Sequence, residues 1–127
     1  MQRMATLRRS IATLAPVLAA AAVAPAPAEA TGYCSPTGDY CHSAGKRDGV
    51  VRLTLDTFAF RGRVRVCVTA PDDRRTCRRF RLRRRANGVH GFSVRWSAHF
   101  PDRGPGRYRV RFRYAGTSLG PADSFRR

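Results

Sequence analysis

From Arg107 to Tyr114 the chain alternates without a break. Tyr108, Val110, Phe112 and Tyr114 take one parity, and Arg107, Arg109, Arg111 and Arg113 take the other. Successive side chains of a strand leave opposite faces, so this segment reads as a strand between a core and water. Arg63–Thr69 repeats the pattern, with Val64, Val66 and Val68 inward and Arg63, Arg65 and Cys67 outward. Thr76–Arg83 turns Phe80 and Leu82 in and Cys77, Arg79 and Arg81 out, and Phe92, Val94 and Trp96 form a further inward set. No stretch after residue 30 shows sustained helical periodicity.

Three segments are less regular. Val50–Phe60 alternates through Val51, Leu53 and Leu55, then places Phe58 and Phe60 on the opposite parity. A β-bulge near Asp56-Thr57 would return these rings to one buried face. Ser118–Phe125 reads as a weak closing strand whose Pro121 suits an edge. Asp39–Ala44 reads as an opening strand joined to the next by Gly45–Gly49. Turns are expected at Pro71-Asp72-Asp73, Asn87-Gly88, Pro101–Gly106 and Ala115-Gly116. About seven short strands at this spacing predict an all-β fold, a small antiparallel β-sandwich forming one domain over residues 31–127.

The first thirty residues differ in kind. Arg3, Arg8 and Arg9 precede an alanine-rich apolar run, Ile11–Val23, and Ala28-Glu29-Ala30 offers the small-x-small pattern of a signal-peptidase site. Residues 1–30 therefore read as a secretory leader and the product as secreted. The apolar run, broken at Pro16 and followed by Pro25 and Pro27, falls short of the ~20 residues of a membrane span. No transmembrane segment is expected after cleavage. Leu7 stands before Arg8-Arg9 where a twin-arginine signal would carry Ser or Thr, which favours the general export route.

Export changes the reading of the cysteines. Cys34, Cys41, Cys67 and Cys77 all follow the leader, and an even count in an exported chain predicts two disulfides. Placing Cys67 opposite Cys77 in a hairpin also sets Val64 against Phe80, Arg65 against Arg79 and Val66 against Arg78. Cys34 and Cys41 then close the loop between them. No Cys-x-x-Cys is present and export favours oxidation, so neither a metal site nor a cofactor is expected.

The charge is extreme. The formal net charge is +17 over 127 residues, and with the leader's three arginines and Glu29 removed it is +15. Such a chain is attracted to anionic polymers and membrane surfaces. Lys46 is the one lysine among 25 basic residues, a bias shared by the leader and attributable to a GC-rich genome. Arg61–Arg85 nevertheless concentrates eleven arginines, and the hairpin register puts Arg63, Arg65, Arg79, Arg81 and Arg83 on one outer face. These five are the candidates for polyanion binding through counterion release.

Catalytic signatures are missing. His42, His90 and His99 lack the i, i+4 spacing of a metal-binding helix, and Asp39, Asp56 and Asp102 are scattered as partners. His90 and His99 can be posited as a ribonuclease-like pair, yet nothing in the sequence brings them together. No catalytic residue is assigned, and the chain reads as a non-enzyme.

Asp102-Arg103-Gly104-Pro105-Gly106-Arg107-Tyr108-Arg109-Val110 resembles the end of the E–F corner of immunoglobulin-like domains, with Val110 where their cysteine stands. The resemblance implies an immunoglobulin-like strand arrangement. Cys34–Cys41, Cys67–Leu82, Phe100–Phe112 and Ser118–Phe125 together resemble small exported proteins of actinobacterial type. That resemblance implies export and fold, and it carries no functional residue.

The expectation is a secreted, disulfide-stabilised, non-enzymatic binding or envelope-associated module of unknown ligand. The alternatives are binding of nucleic acid or anionic cell-wall polymer through the arginine face, and protease inhibition by the disulfide-braced loop. Thr31 should be the N-terminus of exported protein. N-terminal sequencing that reads Met1 in secreted material would remove the leader.

Overall fold

A computed structural model describes residues 20–22 and 31–127, so most of the predicted leader lies outside the described residues. In chain order the strands are β1 (Thr31–Cys34), β2 (Tyr40–Arg47), β3 (Val50–Thr57), β4 (Arg63–Thr69) and β5 (Arg75–Arg81). They continue with β6 (Arg83–Arg84), β7 (His90–Arg95), β8 (Arg107–Tyr114), β9 (Thr117–Ser118) and β10 (Asp123–Arg126). One helical turn, α1 (Trp96–His99), follows β7. Two antiparallel sheets result, one ordered β1-β2-β3-β7-β6 and the other β10-β8-β4-β5 with β9 beside β8. Both bury their apolar parity in a shared core whose largest fully buried side chains are Tyr108, Phe112 and Phe125.

The hairpin read from the cysteines forms as expected. Val64 faces Phe80, Val66 faces Arg78 and Cys67 faces Cys77 across β4 and β5. Disulfides join Cys67 to Cys77 and Cys34 to Cys41. Each bridge sits at directly opposed positions of an antiparallel pair, with Cα atoms 4.1 and 4.0 Å apart.

Several expectations need correction. Ten short strands replace about seven, because Thr31–Cys34 adds a strand and the chain breaks at Leu82 and Gly120-Pro121. No bulge occurs at Asp56-Thr57, since β3 keeps one register against β2 through Thr57. Thr57 itself fills the inward slot, where its hydroxyl donates to the Asp39 carbonyl at 2.9 Å and accepts the Ala59 N–H at 3.0 Å. These bonds end the strand and turn the chain. Phe58 then faces solvent at 61% exposure, while Phe60 returns to the core edge and stacks on Tyr114 at 4.3 Å. Trp96 is buried as expected, but on α1 rather than on the strand. The β2–β3 connection is tighter than expected, a turn at Asp48-Gly49 with φ of 51° and 77°.

The tyrosine of the glycine-rich corner behaves as its setting suggests. Tyr108 is fully buried, its hydroxyl donating to the Gly104 carbonyl at 2.8 Å and accepting the Arg103 N–H at 2.9 Å. The loop before β8 is thereby held against the core. Trp96 and Phe125 pack on the same ring at 4.9 and 5.1 Å.

A buried polar pair joins the two sheets. His42 on β2 and Asp123 on β10 are each about 2% exposed, with Nδ1 2.7 Å from Oδ2. The Leu119 carbonyl lies 2.5 Å from Nε2 and can only accept, so Nε2 carries a proton. The Nδ1–Oδ2 contact then requires one further proton between them. Phe112 stacks on the imidazole at 4.5 Å and closes it from solvent. Removing one member strands the other without water, a loss that costs about 3–5 kcal/mol. Asp123→Ala should lower the urea midpoint accordingly, and a loss below about 1 kcal/mol would show the pair to be dispensable.

Candidate functional site

Alternation and pairing together decide what the outer face of the second sheet carries. Strand β4 contributes Arg63 and Arg65, and β5 contributes Arg75, Arg79 and Arg81. The whole outward parity of β8 is Arg107, Arg109, Arg111 and Arg113, and β10 adds Arg126. Register brings them into rows across the sheet. Arg63 faces Arg81, Arg65 lies between Arg79 and Arg113, and Arg126 faces Arg107.

Ten arginines thus share one face. Asp123 alternates into the core, and the ion pairs of the described residues use Arg74, Arg85, Arg103, Arg127 and His42 instead. None of the ten is ion-paired among the described residues. Arg113 donates to the Gly116 carbonyl at 2.7 Å, and Arg107 and Arg111 approach Ser124 and Ser118 hydroxyls at 3.4 and 3.3 Å. These bonds orient the side chains without offsetting their charge.

Four of the five arginines proposed from sequence, Arg63, Arg65, Arg79 and Arg81, do share this face. Arg83 does not. After Leu82 the chain leaves the second sheet and enters the first, where Arg83 on β6 pairs with Gly91 on β7. Leu82 is buried at the switch, its N–H held by the Gly62 carbonyl at 2.8 Å. Sequence reasoning also left Arg75, the β8 arginines and Arg126 out of the candidate site. The outward parity of β8 was visible in the sequence. Its pairing with β4 was not, because nothing local to either strand specifies it.

The face is contoured around the disulfide. A groove of about 550 Å³ over the Cys67–Cys77 bridge is lined by Arg63, Arg65, Cys67, Arg75, Arg79, Arg113, Ala115 and Gly116.

The other chemically suggestive groups stand apart from it. His42 is sealed in the core with both ring nitrogens engaged. His90 begins β7, and His99 lies beyond its far end, where it meets the Phe80 ring edge-on. Among the described residues, no three His, Cys, Asp or Glu side chains gather as a metal-ligand set. No described helix is long and apolar enough to cross a membrane.

The loop closed by Cys34 and Cys41 is a compact turn rather than an extended segment. Ser35 Oγ accepts the N–H groups of Asp39 and Tyr40, and the Gly38 N–H donates to the Ser35 carbonyl. Burial, then Tyr33 and Asp39 nearby, push the Tyr40 phenol above its usual range, so it stays neutral. Comparison with protein-family models, curated proteins and solved structures finds no match for this chain.

Directly opposed like charges weaken a strand pair. Arg65→Gln removes the centre of the Arg79–Arg65–Arg113 row and should raise stability by about 0.5 kcal/mol at low salt. The gain should shrink in high salt as screening removes the repulsion. An unchanged or lower urea midpoint at low salt would show that the row does not repel.

Proposed function

We propose that this chain is an exported, non-enzymatic binding module with immunoglobulin-like strand order that engages polyanions through the arginine face of its second sheet. Export is supported by the leader-like first thirty residues together with two disulfides, which suit an oxidising compartment. The immunoglobulin-like reading draws on β2-β3-β7 packed against β10-β8-β4-β5 and on the Tyr108 corner.

One observation carries the ligand class: the unequal division of arginine between two solvated faces. Codon bias acts on the whole chain and favours neither sheet. The first sheet's outward strand positions hold Arg47, Arg52, Arg83 and Arg95, diluted by Gly32, Ser43, Gly45, Thr54, Gly91 and Ser93. Asp56 lies there too, ion-paired with Arg85. The second sheet holds ten arginines and no acid on the equivalent surface. A composition effect fills both surfaces alike, whereas an anionic partner explains why one is filled and left unpaired.

Guanidinium groups match phosphate, sulfate and carboxylate oxygens in bidentate geometry. No nucleobase-reading element is needed, and binding is expected to be blind to sequence. On B-DNA the logarithm of affinity should fall linearly with log salt, at a slope of about −0.9 per neutralised phosphate. Changing Arg63, Arg65, Arg79 and Arg81 together to Gln should reduce that slope by about three to four units in a folded protein. A folded variant with an unaltered slope would reduce these arginines to ordinary surface.

A further inference from the structure

The outer surface of the second sheet dips where two short side chains replace two guanidinium arms. Cys67 of the disulfide lines the groove described above, together with the small residues Ala115 and Gly116. A second depression of about 110 Å³ continues past Thr69 and is bounded by Arg75, Arg109, Arg111 and Arg113. The two adjoin, sharing the lining residues Cys67, Arg75 and Arg113, and are taken together as one trough. Seven arginines converge on it: the five of the groove together with Arg109 and Arg111.

We propose that this trough is a binding site for a run of closely spaced phosphates on a thin chain without bases, such as linear polyphosphate or a polyol-phosphate polymer. The inference rests on the polyanion reading above and narrows it. Seven cations around one depression, with no acid among its lining residues, call for a ligand of comparable charge density. Arg65 and Arg79 oppose each other directly, with Arg113 on the other side of Arg65, and a phosphate between their forks turns mutual repulsion into shared hydrogen bonding.

The face offers bases no aromatic platform. Single-stranded nucleic acids bind by stacking on exposed rings. Phe80, Tyr108, Phe112, Tyr114 and Phe125 all occupy the inward parity of this sheet's strands, so its outer face offers none. A duplex carries its phosphates on a convex surface and meets the rim of the trough rather than its floor.

The test uses the disulfide-intact protein at physiological ionic strength. Calorimetric titrations compare inorganic polyphosphate, poly(glycerol phosphate), a single-stranded oligonucleotide and a DNA duplex, all matched in charge. A base-free chain should bind about ten-fold or more tighter than either nucleic acid. Which base-free chain binds identifies the source of the phosphates. Inorganic tripolyphosphate should also protect the trough arginines from modification by phenylglyoxal, a readout that needs no variant.

Arg65→Gln, Arg79→Gln and Arg113→Gln combined should abolish the preference for base-free chains. Arg81→Gln, Arg107→Gln and Arg126→Gln combined remove equal charge from the rim. That variant should weaken every anion by a similar factor and keep the preference. Equal affinity for all four ligands, or identical behaviour of the two triple variants, would overturn the trough and leave the polyanion face standing. Absence of binding to any of the four would overturn both.

Discussion

The Cys67–Cys77 bridge fixes the register on which the rest of the second sheet depends. A slip of one residue between β4 and β5 would send Val64, Val66 and Val68 to water and the arginines to the core, because side chains alternate with a period of two. The opposing arginines of this hairpin push its strands apart, so pairing energy alone holds it weakly. A covalent link at the middle of the hairpin removes that weakness. The same link places two short side chains among long ones, and Cys67 lines both depressions, so the element that secures the fold also borders the trough.

The second constraint lies between the sheets. His42 and Asp123 are 81 residues apart in sequence and meet in a closed space roofed by Phe112. At the same side of the fold, Thr31 Oγ1 accepts the Ser124 N–H at 2.6 Å and ties the first strand to the last. Apolar packing tolerates small shifts of one sheet across the other, whereas these directional bonds do not. They hold β10, and with it the flank of the arginine face, at a fixed position relative to the first sheet.

What the sequence made legible was local. The β4–β5 hairpin could be placed because its cysteines are ten residues apart and pairing them with each other admits one register. The inward faces of β4 and β8 followed from strict alternation. Phe58 and Phe60 misled because alternation continues to be counted after a strand has ended, and only the buried Thr57 hydroxyl reveals that end. Arg83 misled for a related reason, since the parity of Thr76–Arg83 runs unbroken through a change of sheet at Leu82. The largest omission, the β8 arginines beside Arg65 and Arg79, reflects a pairing between strands some forty residues apart. The His42–Asp123 contact was hidden in the same way.

The cationic surface also bears on how the sheet ends. Strand β5 is an open edge of the second sheet, and unpaired edges invite pairing with another chain. Arg75, Arg78, Arg79 and Arg81 occupy four of its seven positions, so two copies brought edge to edge would face each other with like charge. The arginines that guard the edge therefore join those of the proposed anion-binding surface, and the two roles would impose the same residue at Arg75, Arg79 and Arg81. Both leave the free protein with concentrated self-repulsion on one sheet. On the proposed reading, a bound polyanion would relieve that repulsion only in the folded register, which would link ligand occupancy to fold stability, with the second sheet gaining most.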